Sequence, residues 1–124
     1  MEKKTSKNIL GTNLISCCLD PVTGYFRDGF CNTDLSDQGT HIVCAIMTSE
    51  FLNYSALKGN DLITPKPQWQ FPGLKAGDKW CLCINRWLEA VDAGKAPKIV
   101  LESCHKDVLL YANLELLEQY QFKE

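Results

Sequence analysis

The stretch HIVCAIM, His41–Met47, is apolar without alternation and rich in β-branched residues. That pattern predicts a central strand covered on both faces. Thr48 follows as a helix cap, with Glu50 in the first turn and Gly59 just past the end. The helix so predicted presents Phe51, Tyr54 and Ser55 on one side, with Leu52 and Ala56 adjoining. Further on, in KWCLCINRWLEAVDAG, residues Trp80, Ile84, Trp87, Leu88 and Val91 fall at i, i+4, i+7, i+8 and i+11. This stripe favours one helix, capped by Asp78 and stopped by Gly94. The alternative is a short strand over 79–83 followed by a helix from Asn85. IVLES (Ile99–Ser103) and VLLYA (Val108–Ala112) read as strands joined by the polar turn HKD. Asn113 then caps a last helix carrying Leu114, Leu117 and Gln121 along one side.

Between these elements the pattern weakens. Residues 1–7 read as a flexible tail. Asn8–Cys31 is punctuated by turns, with Pro21 after Asp20 and then Gly24. Asp28-Gly29, flanked by aromatics in YFRDGFC, predicts a hairpin over Tyr25–Cys31. Residues 32–39 are polar loop. Residues 60–78 show neither period and hold three of the five prolines, so they predict a long irregular loop. Trp69 and Phe71 within it argue for packing rather than disorder. Together these readings give an α+β fold: a small two-layer domain over 8–124 with mixed or antiparallel strands, about three helices and long irregular loops.

Totals narrow the function. A chain of 124 residues with 45% hydrophobic and 23% charged residues is long enough to bury its own core. Its 13 basic residues are scattered among 15 acidic ones, for a net charge of −2, which argues against nucleic acid as a partner. No apolar stretch approaches the roughly 18 residues of a membrane span. The start lacks the apolar core of a secretion signal, so a cytoplasmic setting is expected. There, seven cysteines, an odd number, should remain free thiols. Adjacent Cys17 and Cys18 are able to bridge each other only through a strained ring.

Several motifs then stand out: NILG, DPVTGYFRDGFCNT, THIVCAIMTSEFL, GNDL, FPGLKAGDKWCLC and RWLEA. On these the chain resembles the family catalogued as domain of unknown function 2237, from about Asn8 into the last helix. The resemblance implies a coherent fold and a set of motif positions, without an assigned reaction. Those positions fall on Cys17, Arg27, Cys31, His41, Cys44, Asp61, Cys81, Cys83, Arg86 and His105. Cys18 and Cys104 depart from the pattern.

Three kinds of site follow. Zinc needs three or four thiolates or imidazoles. Cys31, His41, Cys44 and a thiol of the C-x-C pair, Cys81 or Cys83, are the ligands on offer. Cys81 and Cys83 share a face only if 79–83 is a strand. Thiol catalysis needs a base, and His41 and His105, each at the edge of a predicted strand, are the only imidazoles for Cys31, Cys44, Cys81 or Cys83. The single-helix reading puts Cys81 in a first turn, where free amides favour a thiolate. Trp80, Leu82 and Ile84 argue instead for buried, inert thiols. Finally, Arg27 and Arg86 are the only arginines. They suit a small anionic ligand, with Asp61 and Trp69 as further contacts, or else structural ion pairs: Arg27 with Asp20 or Asp28, Arg86 with Glu89 or Asp61. The long loop is a lid, a surface for a protein partner, or a cover for the core. A ligand-binding or catalytic pocket is favoured over a non-catalytic interaction or structural module.

Overall fold

The computed structural model describes residues 6–19, 22–34, 36–37, 40–69 and 71–122, with the side chain of Trp69 outside the description. Strand β1 (His41–Ile46) forms where the apolar run predicts it. A strand buried on both faces must pair its backbone along both edges. On one edge it pairs antiparallel with β2 (Lys79–Cys83), so that Cys44 faces Cys81 and Ala45 faces Trp80. A bulge between His41 and Val43 brings His41 opposite Cys83. On the other edge, Ile46 N–H bonds Lys98 O at 2.9 Å and Val100 N–H bonds Cys44 O at 2.9 Å.

This pairing overturns the single-helix reading of 79–94. Trp80, Cys81 and Leu82 are buried as strand, and helix α2 begins at Ile84 and runs to Ala93. The helical stripe holds only from Ile84 onward, where Ile84, Trp87 and Ala90 are buried. Asp78 is no cap for it; its carboxylate accepts Lys75 N–H instead. Gly94 does end the helix, at φ 72°.

The strands expected at Ile99–Ser103 and Val108–Ala112 also fail. Ile99 is one bridge residue between β1 and Gln121, and Leu101–Ser103 turns into a 3-10 helix that buries Leu101. Lys106–Leu110 is a second 3-10 helix in which Val108 alone is buried. With both edges of β1 already occupied, VLLYA has no strand to join. The Tyr25–Cys31 hairpin is likewise a run of bends rather than a ladder. The chain does turn here, but about Tyr25-Phe26 rather than Asp28-Gly29: Arg27 N–H bonds Gly24 O at 3.0 Å, and Gly29 N–H bonds Thr23 O at 2.9 Å.

Two other helices agree with the sequence. Helix α1 (Ser49–Leu57) is capped by the Thr48 hydroxyl, which accepts Phe51 N–H, and buries Phe51, Leu52 and Ser55. Helix α3 (Leu114–Gln119) is capped by Asn113 and buries Leu117. The core lies where β1, α1 and α2 meet, around Ile42, Met47, Phe51 and Trp87. Trp87 Nε1 donates to Pro97 O at 3.1 Å, so the ring is buried without an orphaned donor. Three helices with a two-stranded antiparallel sheet make the α+β architecture.

Of the tail read at 1–7, residues 1–5 lie outside the described residues. Ser6 O and Lys7 O accept backbone N–H groups from Leu14 and Lys106. The Asp20-Pro21 turn and the Gly39 boundary also lie outside. Among the described residues no helix is long and apolar enough to cross a membrane.

Candidate active-site cleft

At the open end of the β1–β2 pair is a cleft of about 210 Å³ lined by His41, Asn60, Leu62, Trp80, Leu82, Cys83 and Arg86. Its position follows from the chain. Thr40, held at φ 50°, offers its carbonyl to the N–H groups of both Ile42 and Ile84, at 3.0 and 3.1 Å. That one oxygen ties the start of β1 to the start of α2. His41 and Cys83 therefore stand opposite each other, and Arg86 projects from the first turn of α2.

The imidazole is oriented from behind. His41 Nδ1 lies 2.7 Å from Oδ1 of Asp37, whose side chain is fully buried. Oδ2 of the same carboxylate accepts His41 N–H at 2.9 Å and the Thr33 hydroxyl at 3.0 Å. Such a partner fixes the tautomer and leaves Nε2 as the second ring nitrogen. Tyr25 stacks parallel to the ring, 6.4 Å between centroids. No hydrogen bond joins imidazole to thiol; catalytic hydrogen bonds are often long before a substrate binds.

The floor is apolar. Phe71 packs edge-on against Trp80 at 5.1 Å, as the long loop was expected to pack. Arg27 also lies over the Trp80 ring, 5.1 Å from its centroid, and donates from Nη1 to Gly24 O at 2.7 Å. Burial pulls its guanidinium below the usual arginine range. Among the described residues Arg27 has no carboxylate partner: Asp28 instead caps its own turn by accepting Phe30 N–H, and Asp20 lies outside the description. Arg86 does take the expected partner, Glu89, at 3.3 Å, and also bonds Lys58 O at 3.2 Å. Both contacts use Nη1, and a guanidinium has five N–H donors, so others remain for a ligand.

The thiols divide sharply. Cys17 is bonded to Cys44 and Cys31 to Cys81, with Cα–Cα distances of 5.7 and 5.1 Å. This corrects the expectation of seven free thiols, and removes Cys31, Cys44 and Cys81 as nucleophiles in this state. The physical reason is local: the strand pairing aligns Cys44 with Cys81, and Cys17 and Cys31 pack against that pair. Cys18 and Cys83 are half-buried and free, while Cys104 is free and buried. Burial pushes the Cys104 thiol up to about 12, so it stays protonated and inert.

The remaining candidates do not line the cleft. His105 is 6% exposed rather than accessible, and its Nδ1 accepts Asp107 N–H at 3.0 Å to cap the 3-10 turn. Asp61 caps its loop, accepting the N–H groups of Ile63 and Thr64; the Thr64 side chain and these amides hold its carboxyl below the usual range. Trp69 ends the 3-10 turn Pro67–Trp69, and its side chain lies outside the description. Among the described residues the mixed metal set with His41 is not assembled: His41 turns to Asp37, while the sulfurs of Cys31 and Cys81 cluster with that of Cys17.

Sequence reasoning did not single out Asp37, Asn60, Leu62, Trp80 or Leu82 as site residues. The spacing of Asp37 four residues before His41 was readable, but it lies in a loop whose path depends on Thr40 at positive φ.

A family model described as "Uncharacterized protein conserved in bacteria (DUF2237)" matches residues 7–121. No curated protein matches the chain.

Proposed function

We propose that this chain, which belongs to the DUF2237 family across residues 7–121, is a small thiol-dependent enzyme acting on a compact anionic acyl compound. The observation that carries this reading is that Cys83, Arg86 and the Asp37-oriented His41 line one cleft. Residues directly opposite in an antiparallel pair have β-carbons roughly 5 Å apart, close enough for a thiol and an imidazole to meet through a small rotation.

The chemistry follows from the groups. His41 takes the Cys83 proton as Sγ attacks a carbonyl carbon, forming a C–S bond. Collapse of the tetrahedral adduct breaks the bond to the leaving group, which departs with the proton from the imidazolium. Water, deprotonated by His41, then cleaves the thioester and restores the thiol. Asp37 positions the ring and stabilises its cationic form. The first turn of α2 supplies backbone N–H groups and Arg86 a charged fork, both suited to negative charge. Leu62, Trp80 and Leu82 exclude water from a cleft sized for a small molecule rather than a peptide. A cytoplasmic setting belongs to the same reading; it keeps Cys83 reduced, and it favours opening of the two disulfides as well.

Cys18 provides an internal control, being half-buried like Cys83 but not among the residues that line the cleft. Alkylation mapped by mass should modify Cys83 about tenfold or more faster than Cys18, and His41→Gln should remove most of that advantage. Negatively charged iodoacetate should gain on neutral iodoacetamide at Cys83, and Arg86→Ala should abolish the preference. The interaction-module reading rests on five of the seven cysteines being either bonded in pairs or buried. Equal labelling of Cys18 and Cys83 would leave that reading and sink the enzyme.

A further inference from the structure

Away from the cleft, four sulfurs from four separate stretches of chain meet in the core. The Sγ atoms of Cys17, Cys31 and Cys81 all lie within 4.8 Å of one another. The fourth, that of Cys44, is bonded to Cys17 and stands opposite Cys81 in the strand pair. All four residues are buried, the most exposed at 6%. A tetrahedral zinc tetrathiolate, with Zn–S near 2.3 Å, holds its sulfurs roughly 3.8 Å apart. Three of the sulfurs, those of Cys17, Cys31 and Cys81, already lie within 4.8 Å of one another, and Cys44 is tied to the first of them. Opening both disulfides frees each of the four sulfurs to turn about its own Cα–Cβ bond, Cys44 from the strand position opposite Cys81.

We propose that Cys17, Cys31, Cys44 and Cys81 form a two-state centre: two disulfides when oxidised, and a four-thiolate site for one zinc ion when reduced. A dithiol reductant supplies two electrons and two protons to each disulfide and itself becomes a disulfide. Four thiols result, and zinc displaces their four protons on binding. The donor set is all sulfur and sealed from water, which selects a thiophilic ion over magnesium or calcium. The ion also reconnects the stretches that the disulfides joined, across separations of 27 and 50 residues, so the reduced chain keeps its cross-links. Cys104 stands outside the four: its sulfur accepts Cys44 N–H at 3.3 Å, a bond that orients a ligand from behind. The centre does not use Cys83 or His41, so it stands or falls apart from the proposed enzyme.

The test uses the full chain, reduced with a phosphine under argon and titrated with Co²⁺ as the probe. One equivalent should bind with the visible bands of tetrahedral cobalt and strong thiolate-to-cobalt charge transfer, both erased by one equivalent of zinc. The oxidised chain should show neither. Cys83→Ser should bind as the parent does, and Cys31→Ser combined with Cys81→Ser should lose the signal. Because that double variant can fail to fold, the parent is also alkylated with and without zinc. Zinc should protect Cys17, Cys31, Cys44 and Cys81, while Cys18 and Cys83 remain open to reagent. Uptake below about a tenth of an equivalent by the reduced, folded chain overturns the proposal. So does protection that spares those four, or loss of binding in Cys83→Ser.

Discussion

Cys44 and Cys81 stand directly opposite each other across the strand pair, yet each bonds outward, to Cys17 and to Cys31. The two disulfides therefore pin the irregular N-terminal stretch to the only regular sheet among the described residues. Loops of 27 and 50 residues correspond to about 3.5 and 4 kcal/mol of lost freedom in the unfolded chain. Replacing Cys31 and Cys81 together by alanine should thus cost about 4 kcal/mol, seen as a lower urea midpoint in metal-free, non-reducing buffer. An unchanged midpoint would show that the N-terminal stretch packs well enough without the bond.

The Asp37 carboxylate should be as important to the fold as to the cleft. It is buried and accepts from His41 twice and from Thr33. Asp37→Ala leaves those donors without a partner, which costs about 1–3 kcal/mol. Asp37→Asn keeps the shape and should recover part of that stability. It should still slow Cys83 alkylation, since an amide can present its N–H to Nδ1 and reverse the tautomer. If Asn restores both stability and labelling rate, Asp37 is a brace and nothing more.

Patterns within one element were legible in the sequence; those that depend on a neighbour were not. Strand β1 and the caps Thr48, Asn113 and Gly94 came from local composition and cap chemistry. Residues 79–83 did not, because a short apolar run such as Trp80–Cys83 fits strand or helix alike until a partner edge is known. VLLYA erred the other way, having strand composition but no free edge. The site shows the same division. His41, Cys83 and Arg86 were on the page as candidates, while Asp37 and the pairing of Cys17 with Cys44 required the course of irregular segments that no periodicity encodes.

Stability should fall with mild acid through His105. Burial holds its imidazole below the ordinary value, against the pull of Asp107 and with the help of Lys106. The neutral ring is the form that accepts Asp107 N–H. As pH drops through the unfolded value of 6.5, the unfolded chain gains the proton first. This contribution is therefore complete above that pH and is lost progressively down to the folded pKa. His105→Asn keeps an acceptor at the cap and removes the titration. The urea midpoint of the parent should fall more steeply than that of the variant between about pH 7.5 and pH 5. Parallel slopes would assign the acid sensitivity elsewhere.

Gly24 links the bends to the cleft. It sits at φ 98°, and a β-carbon there would run into the Phe30 carbonyl oxygen. Its own carbonyl accepts both Arg27 N–H and Arg27 Nη1, which holds the guanidinium over Trp80. Gly24→Ala must then either strain this turn or release it. Strain at such a position costs about 1–3 kcal/mol. Release frees Arg27 from the ring and gives up about 1 kcal/mol of cation–π attraction. Both routes lower the urea midpoint, but only the second exposes Trp80, which the Arg27→Met variant isolates. Tryptophan emission quenched more strongly by iodide in Gly24→Ala and in Arg27→Met alike would identify release. Quenching raised in Arg27→Met alone would mean that the turn holds and the alanine is simply strained.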